Sequence, residues 1–255
     1  MKQILICLIC FLFSVTPSIA QQSAQATFDE ANTLFKNGEL TEALNLYRSI
    51  EQTGKISGAL YLNMGITAVQ LDSLGLAKYY FLKAADFKTT LSRAQTALDY
   101  VNSQFSRQSA MLPKLPWDRA IQWINDVLTA SGLFLIGFII TTVGLVLLYL
   151  SWFNKLSIKK ISSYTIALVI TGSSLAILAF YADYVDQRYD TAVLITNSQR
   201  VVQSPKPDAT LESIAYEGYD LTVDHWKSEE QPDWLYVRLG NGQYGWIQNK
   251  GVKIL

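Results

Sequence analysis

Leu133-Phe-Leu-Ile-Gly-Phe-Ile-Ile-Thr-Thr-Val-Gly-Leu-Val-Leu-Leu-Tyr-Leu150 and Ile161-Ser-Ser-Tyr-Thr-Ile-Ala-Leu-Val-Ile-Thr-Gly-Ser-Ser-Leu-Ala-Ile-Leu-Ala-Phe-Tyr-Ala182 are the two stretches that cannot be placed in water. No residue is charged from Val127 to Asn154, or from Ile161 to Ala182. Each run is long enough to cross a hydrocarbon core of about 30 Å at about 1.5 Å per residue. Two transmembrane helices are therefore expected, over residues 133–150 and 161–182. The loop between them, residues 151–160, carries Lys155, Lys159 and Lys160 and no acid, which marks it as the cytoplasmic turn of a hairpin. Both outer ends then face the other side, so the soluble segments before residue 117 and after residue 183 share a compartment and are tied together by the hairpin alone.

Neither crossing holds an acidic or basic side chain or a histidine. A proton relay, ion pathway or transporter site needs such groups in the hydrocarbon region, where each is costly and kept for use. Gly132, Gly137 and Gly144 in the first run, and Gly172 with Ser173 and Ser174 in the second, predict close packing within the hairpin.

Met1-Lys-Gln3, the apolar run from Ile4 to Phe13 and the small-x-small Ser18-Ile-Ala20 have the three parts of a signal peptide over residues 1–20, with Gln21 as the mature N-terminus. An uncleaved anchor is the competing reading and would add a crossing. Cys7 and Cys10 are the only cysteines, so the mature chain has none, and bulky Ile9 before Cys10 speaks against lipidation. Half of the 255 residues are apolar, 16% are charged, and the formal net charge is zero. From Asp183 to the end acids outnumber bases by 11 to 7, which argues against nucleic acid as a partner.

Between the leader and the hairpin the sequence repeats with a period of 34 residues. Leu40, Ala43, Leu44, Tyr47 and Ile50 recur as Leu74, Ala77, Lys78, Phe81 and Ala84, and only Lys78 loses the character of its counterpart. Ala31 and Leu34 recur as Gly65 and Ala68. Small residues at such positions let antiparallel helices approach, while Tyr47 and Phe81 fill the space between repeats.

Tyr61-Leu-Asn-Met-Gly65 and Gly38-Glu-Leu-Thr-Glu-Ala43 make this pattern resemble the tetratricopeptide repeat, as two repeats over residues 24–91 within a module of residues 21–106. It departs from the family at Lys55 and Thr89, where a terminal proline is usual, and at Thr27, where an aromatic is usual. Leu91 to Phe105 is expected as a third A-helix or cap, and a core this small as one stabilised by a partner or by the membrane-facing helix that follows. The resemblance implies partner binding on the concave face of the A helices, at Phe28, Asn32, Phe35, Lys36, Asn63, Ile66, Gln70 and Arg93. Asn32, Asn63 and Arg93 match three positions of a carboxylate clamp, but Phe28 and Ala97 stand where its other cations belong, so no clamp is expected.

Residues 107–132 read as a linker followed by an amphipathic helix, with Trp117, Ile121, Ile124, Val127 and Leu128 on one face. Trp117 and Trp123 place that helix at the headgroup boundary, and Trp152-Phe153 and Tyr181 with Tyr184 read as aromatic belts.

Residues 183–255 turn to short β-rich runs: Ala192–Ile195, Tyr219–Val223, Trp234–Leu239 and Tyr244–Ile247, with Gly240-Asn-Gly242 as a hairpin turn. Val201 with Ser204-Pro205, Glu217-Gly218, and above all the run Asp233-Trp-Leu-Tyr-Val-Arg-Leu-Gly-Asn-Gly-Gln-Tyr-Gly-Trp-Ile247 make the segment resemble the bacterial SH3 (SH3b) family, a small half-open β-barrel. That resemblance implies a groove for peptide or cell-wall stems lined by Trp226, Trp234, Tyr236, Tyr244 and Trp246. For the tryptophans the expected role is nevertheless packing in the core or rim of the barrel, with the groove as the competing reading. His225, the only histidine, reads as an exposed strand-end residue with neither metal spacing nor a triad, and Glu229-Glu230 as a solvated pair. No catalytic, metal-binding or cofactor-binding residue is expected.

The fold class expected is thus multidomain: an all-α tetratricopeptide module, a two-helix transmembrane hairpin and a small all-β SH3-like barrel. The order of parts resembles the BatE family of bacterial aerotolerance operons, whose relatives include von Willebrand-type membrane proteins and a MoxR-like ATPase. The resemblance implies a non-catalytic scaffold in the inner membrane, with both soluble parts periplasmic and other membrane proteins as partners. The competing function is a peptidoglycan-binding or targeting subunit of an envelope hydrolase, since SH3b modules often accompany such enzymes.

Overall fold

The computed structural model describes residues 16–106, 123, 127–153 and 159–255. The leader as far as Val15, the linker and most of the amphipathic helix (residues 107–122 and 124–126), and the loop around Lys155 (residues 154–158) lie outside the described residues. The chain divides into two compact units, one made of the N-terminal segment with residues 191–223 and 231–255, the other of the apolar hairpin with residues 224–230.

The first unit begins with five helices: α1 (Thr16–Asn37), α2 (Leu40–Gln52), α3 (Gly58–Gln70), α4 (Leu74–Ala85) and α5 (Leu91–Gln104). Leu40 and Leu74 open α2 and α4, so the sequence period is that of a helix pair. Gly38 and Asp72 take positive φ and end α1 and α3, and the Ser57 hydroxyl caps α3 by accepting from the Leu60 N–H. Ala31, Ala43, Ala77 and Ala84 are fully enclosed where the helices meet, with Tyr47 and Phe81 buried beside them. A Cβ on Gly65 would lie 2.4 Å from the Phe81 ring, so that glycine is what admits the aromatic. Lys83 bridges α4 to α2, donating to Glu51 Oε1 at 2.8 Å from above the Tyr61 ring.

The C-terminal segment forms a seven-stranded antiparallel sheet: β1 (Tyr189–Leu194), β2 (Ser198–Val202), β3 (Leu211–Tyr216), β4 (Asp220–Asp224), β5 (Trp234–Leu239), β6 (Tyr244–Gln248) and β7 (Val252–Ile254), in the order β3-β2-β6-β5-β4-β1-β7. Strands β2, β3 and β7 go beyond the four runs read from the sequence. β3 contains Glu212 and Ser213 and buries only Ala215, and β7 has three residues, so neither carries a strong alternating pattern. Gly242, at positive φ, closes the β5–β6 hairpin where expected, donating to the Leu239 carbonyl at 2.9 Å. Val201, Ala215, Leu221, Val223, Leu235, Val237, Leu239 and Ile247 make the core of the sheet.

Helices and sheet are not separate arms joined only through the hairpin. Val193 and Ile195 pack into the helical core. The Gly75 N–H, in the first turn of α4, donates to Glu217 Oε1 at 2.7 Å, and a Cβ on Gly75 would meet the Leu194 carbonyl at 2.7 Å. Lys78, only 6% exposed, donates to the Gly218 carbonyl and pairs with Asp220, each at 2.7 Å. Phe105, at the end of α5, sits where a Cβ on Gly218 would otherwise lie. β1 and the β3–β4 turn thus pack on the small array from within its own unit, while the membrane-facing helix expected to stabilise it lies for the most part outside the described residues.

In the second unit, α6 (Thr129–Trp152) and α7 (Lys159–Arg188) are both long and apolar enough to cross a membrane. They run past the expected limits by several residues, α7 as far as Arg188. Their contact uses the glycines: a Cβ on Gly137 would lie 2.8 Å from the Gly172 carbonyl, one on Gly144 2.8 Å from Val169, and one on Gly172 2.6 Å from the Thr141 nitrogen. Gly132 is the exception, since a Cβ there meets only its own turn at Thr129. Outside this seam Phe138, Val146, Ile170, Ile177 and Phe180 are exposed, an arrangement that water disfavours and lipid accepts.

Candidate functional site

Phe28, Asn32, Phe35 and Lys36 lie on α1, Asn63, Ile66 and Gln70 on α3, and Arg93 on α5. Two of them are brought into direct contact. Asn32 Oδ1 accepts from the Tyr47 hydroxyl at 2.6 Å and from Asn63 Nδ2 at 2.8 Å, which uses both of its lone pairs. Burial pushes the Tyr47 phenol above its ordinary value, against the opposing effect of Asn63, and so keeps it a donor. Phe28 packs on Tyr47 with ring centres 5.7 Å apart, so it belongs partly to the core. Lys36, Ile66, Gln70 and Arg93 are exposed.

A second surface is built by strand alternation. On β5, Leu235, Val237 and Leu239 point into the core, which turns Trp234, Tyr236 and Arg238 to the other face. On β6, Ile247 points inward, which turns Tyr244 and Trp246 outward. The register sets Tyr236 opposite Trp246 and Arg238 opposite Tyr244. Tyr236 meets Trp246 edge-on at 5.3 Å and stacks on Tyr244 at 6.2 Å, and the Arg238 guanidinium lies 6.0 Å from the Tyr244 ring. None of the four aromatics belongs to the core cluster. Tyr236, Tyr244 and Trp246 touch as one aromatic strip that ends in a cation, with Trp234 two residues along β5 on the same face, and alternation from Trp234 also places Arg238 there.

Trp226 stands elsewhere. It lies on the short helix α8 (His225–Ser228), in the second unit, edge-on to Tyr184 of α7 at 5.2 Å. Arg188 holds this corner: its Nε and Nη2 donate to the Asp224 carboxylate, with Nη2–Oδ2 at 2.7 Å, and its guanidinium lies 5.4 Å from the Trp226 ring. Asp224 also caps α8 by accepting from the Lys227 N–H at 3.2 Å. Burial alone would raise the Asp224 carboxyl, but Arg188 and the Lys227 N–H outweigh it and hold it below the usual carboxylate value. His225 is not a free strand-end residue; it is half-buried in α8 and bonded to Asp190.

Among the described residues no three His, Cys, Asp or Glu side chains gather as a metal site. Glu229 and Glu230 are exposed. What these surfaces offer is recognition by stacking, apolar contact and a few fixed donors. No protein-family model matches this chain, and no curated protein matches it.

Proposed function

We propose that the chain is a non-catalytic adaptor of the bacterial inner membrane that presents a tetratricopeptide-like array and an SH3b-like barrel on the periplasmic side. Its partners are other membrane proteins, including von Willebrand-type proteins, in a complex of the BatE aerotolerance kind. The observation that carries this reading is how the array meets the sheet. Gly75 and Lys78 of α4 make that contact, while Lys36, Ile66, Gln70 and Arg93 of α1, α3 and α5 stay exposed and open to a partner. An apolar hairpin with no Asp, Glu, Lys, Arg or His between Leu133 and Ala182, apart from the connecting loop, suits an anchor rather than a conduit.

A pull-down from detergent extract tests it. The adaptor reading expects membrane proteins to co-purify, and a Lys36→Glu, Arg93→Glu chain to lose them. Protease access to both ends in spheroplasts, with a tag at Ser157 shielded, tests the orientation.

The strip of Trp234, Tyr236, Tyr244 and Trp246 favours a second reading, a cell-wall targeting subunit, because stacked aromatics with an adjoining Arg238 suit sugar rings and extended peptides. Retention on insoluble peptidoglycan, lost in Trp246→Ala, with no co-purifying protein, would favour that reading.

A further inference from the structure

We infer that Trp226 is an interfacial anchor that seats α8 in the headgroup boundary of a lipid bilayer, beside the end of α7. The inference rests on reading α6 and α7 as membrane-spanning, and adds a contact that neither helix supplies by itself.

Depth is the first argument. The uncharged run of α7 ends at Ala182, and the polar layer beyond a hydrocarbon core is about 5–8 Å thick on each side. At about 1.5 Å per residue Tyr184 stands about 3 Å past that edge, inside the layer. The Trp226 ring meets Tyr184 edge-on with centres 5.2 Å apart, which bounds its offset from that level to the same distance.

The second argument is continuity with the face that lipid would cover. Ile177, Phe180 and Tyr181 of α7 are exposed, Tyr181 stacks on Tyr184 at 6.3 Å, and Trp226 extends that aromatic run. Trp226 is itself 53% exposed. A tryptophan with an apolar body and one N–H favours a boundary that is greasy below and wet above.

The third is that its position is built. Arg188 clamps Asp224, Asp224 caps α8, the Ser228 hydroxyl bonds back to the Asp224 carbonyl at 2.7 Å, and Asp190 holds His225. Four polar ties on a four-residue helix fix an indole that would otherwise be a mobile loop side chain.

The test uses the full chain in phosphatidylcholine vesicles, with Trp117, Trp123, Trp152, Trp234 and Trp246 changed to Phe so that Trp226 is the sole indole. A parallel chain carries Trp226→Phe and Ile170→Trp as the reference inside the apolar run. Lipids are brominated either near the glycerol end or near the methyl end of the acyl chains. Trp226 should emit at shortened wavelength and lose most of its emission to the shallow bromines and little to the deep ones. The Ile170→Trp indole should lose most to the deep ones. If that reference is quenched and Trp226 is not, α8 faces water, a protein partner or a second copy, and the inference is overturned while the spanning reading stands. If neither is quenched, the spanning reading fails and takes the inference with it. Should the five replacements prevent folding, a nitroxide on Lys227→Cys, with Cys7 and Cys10 as serine, reads the same depth from its accessibility to oxygen against a water-soluble nickel chelate.

Discussion

Lys78 Nζ lies 2.7 Å from Asp220 Oδ1 and 2.7 Å from the Gly218 carbonyl, linking α4 to the turn that opens β4 across 140 residues of chain. Its counterpart in the first repeat is Leu44, a buried core residue. The one repeat position that changed character is therefore the one turned from helix packing to holding the sheet.

Removing Lys78 alone should open that contact. Lys78→Ala leaves Asp220 and the Gly218 carbonyl without their cation, at a cost of about 2–3 kcal/mol, reduced from the fully buried case because Asp220 is partly exposed. Amide exchange in α4 and β4 should accelerate accordingly. Lys78→Met with Asp220→Ala should recover most of the protection, and a double variant as unprotected as Lys78→Ala would show that the ion pair is not what holds the sheet.

Gly65 and Phe81 form a second dependent pair. Gly65→Ala pushes a methyl into the Phe81 ring and should cost about 1–3 kcal/mol, read by calorimetry of the solubilised chain. Phe81→Leu added to Gly65→Ala should regain part of the loss, because the smaller side chain vacates the overlap.

Within the hairpin the glycines are not equivalent. Gly137→Leu or Gly172→Leu must force α6 and α7 apart, since even a Cβ at either position overlaps the opposing backbone. Gly132→Leu faces no such obstacle. Thermal aggregation in mild detergent should come at lower temperature for the first two and stay near the unsubstituted chain for the third.

Acid should loosen the α7–α8 corner through Asp224. Its folded-state value is depressed, so its contribution is complete above the unfolded carboxylate value and is lost as pH falls through the folded one. Emission of a sole Trp226 should change across that acidic window. In Asp224→Asn the same transition should be absent, and a full transition in that variant would assign the titration to another group.

Much of this was legible in the residues. The two uncharged runs are the two helices that can cross a membrane, and the 34-residue spacing is the spacing of α2 and α4. Tyr47 and Phe81 are buried as their repeat positions required. The strip of Trp234, Tyr236, Tyr244 and Trp246 follows from alternation along β5 and β6, and the same alternation keeps it out of the core. Trp226 could not be told from these four by composition, because what separates it is the turn into α8 after β4. Gly132 looked like Gly137 because glycine content says nothing of which side of a helix meets a neighbour.

Local pattern is a property of neighbouring residues, and it determined which segments are helical, which are apolar enough to leave water, and which faces of β5 and β6 are greasy. The tertiary structure alone decided that Lys78 reaches Asp220, that Gly75 accepts the close approach of Leu194, and that Arg188 grips Asp224. Each joins residues far apart in the chain. Such a contact depends on where two folded elements come to rest, and no short window of sequence contains both partners.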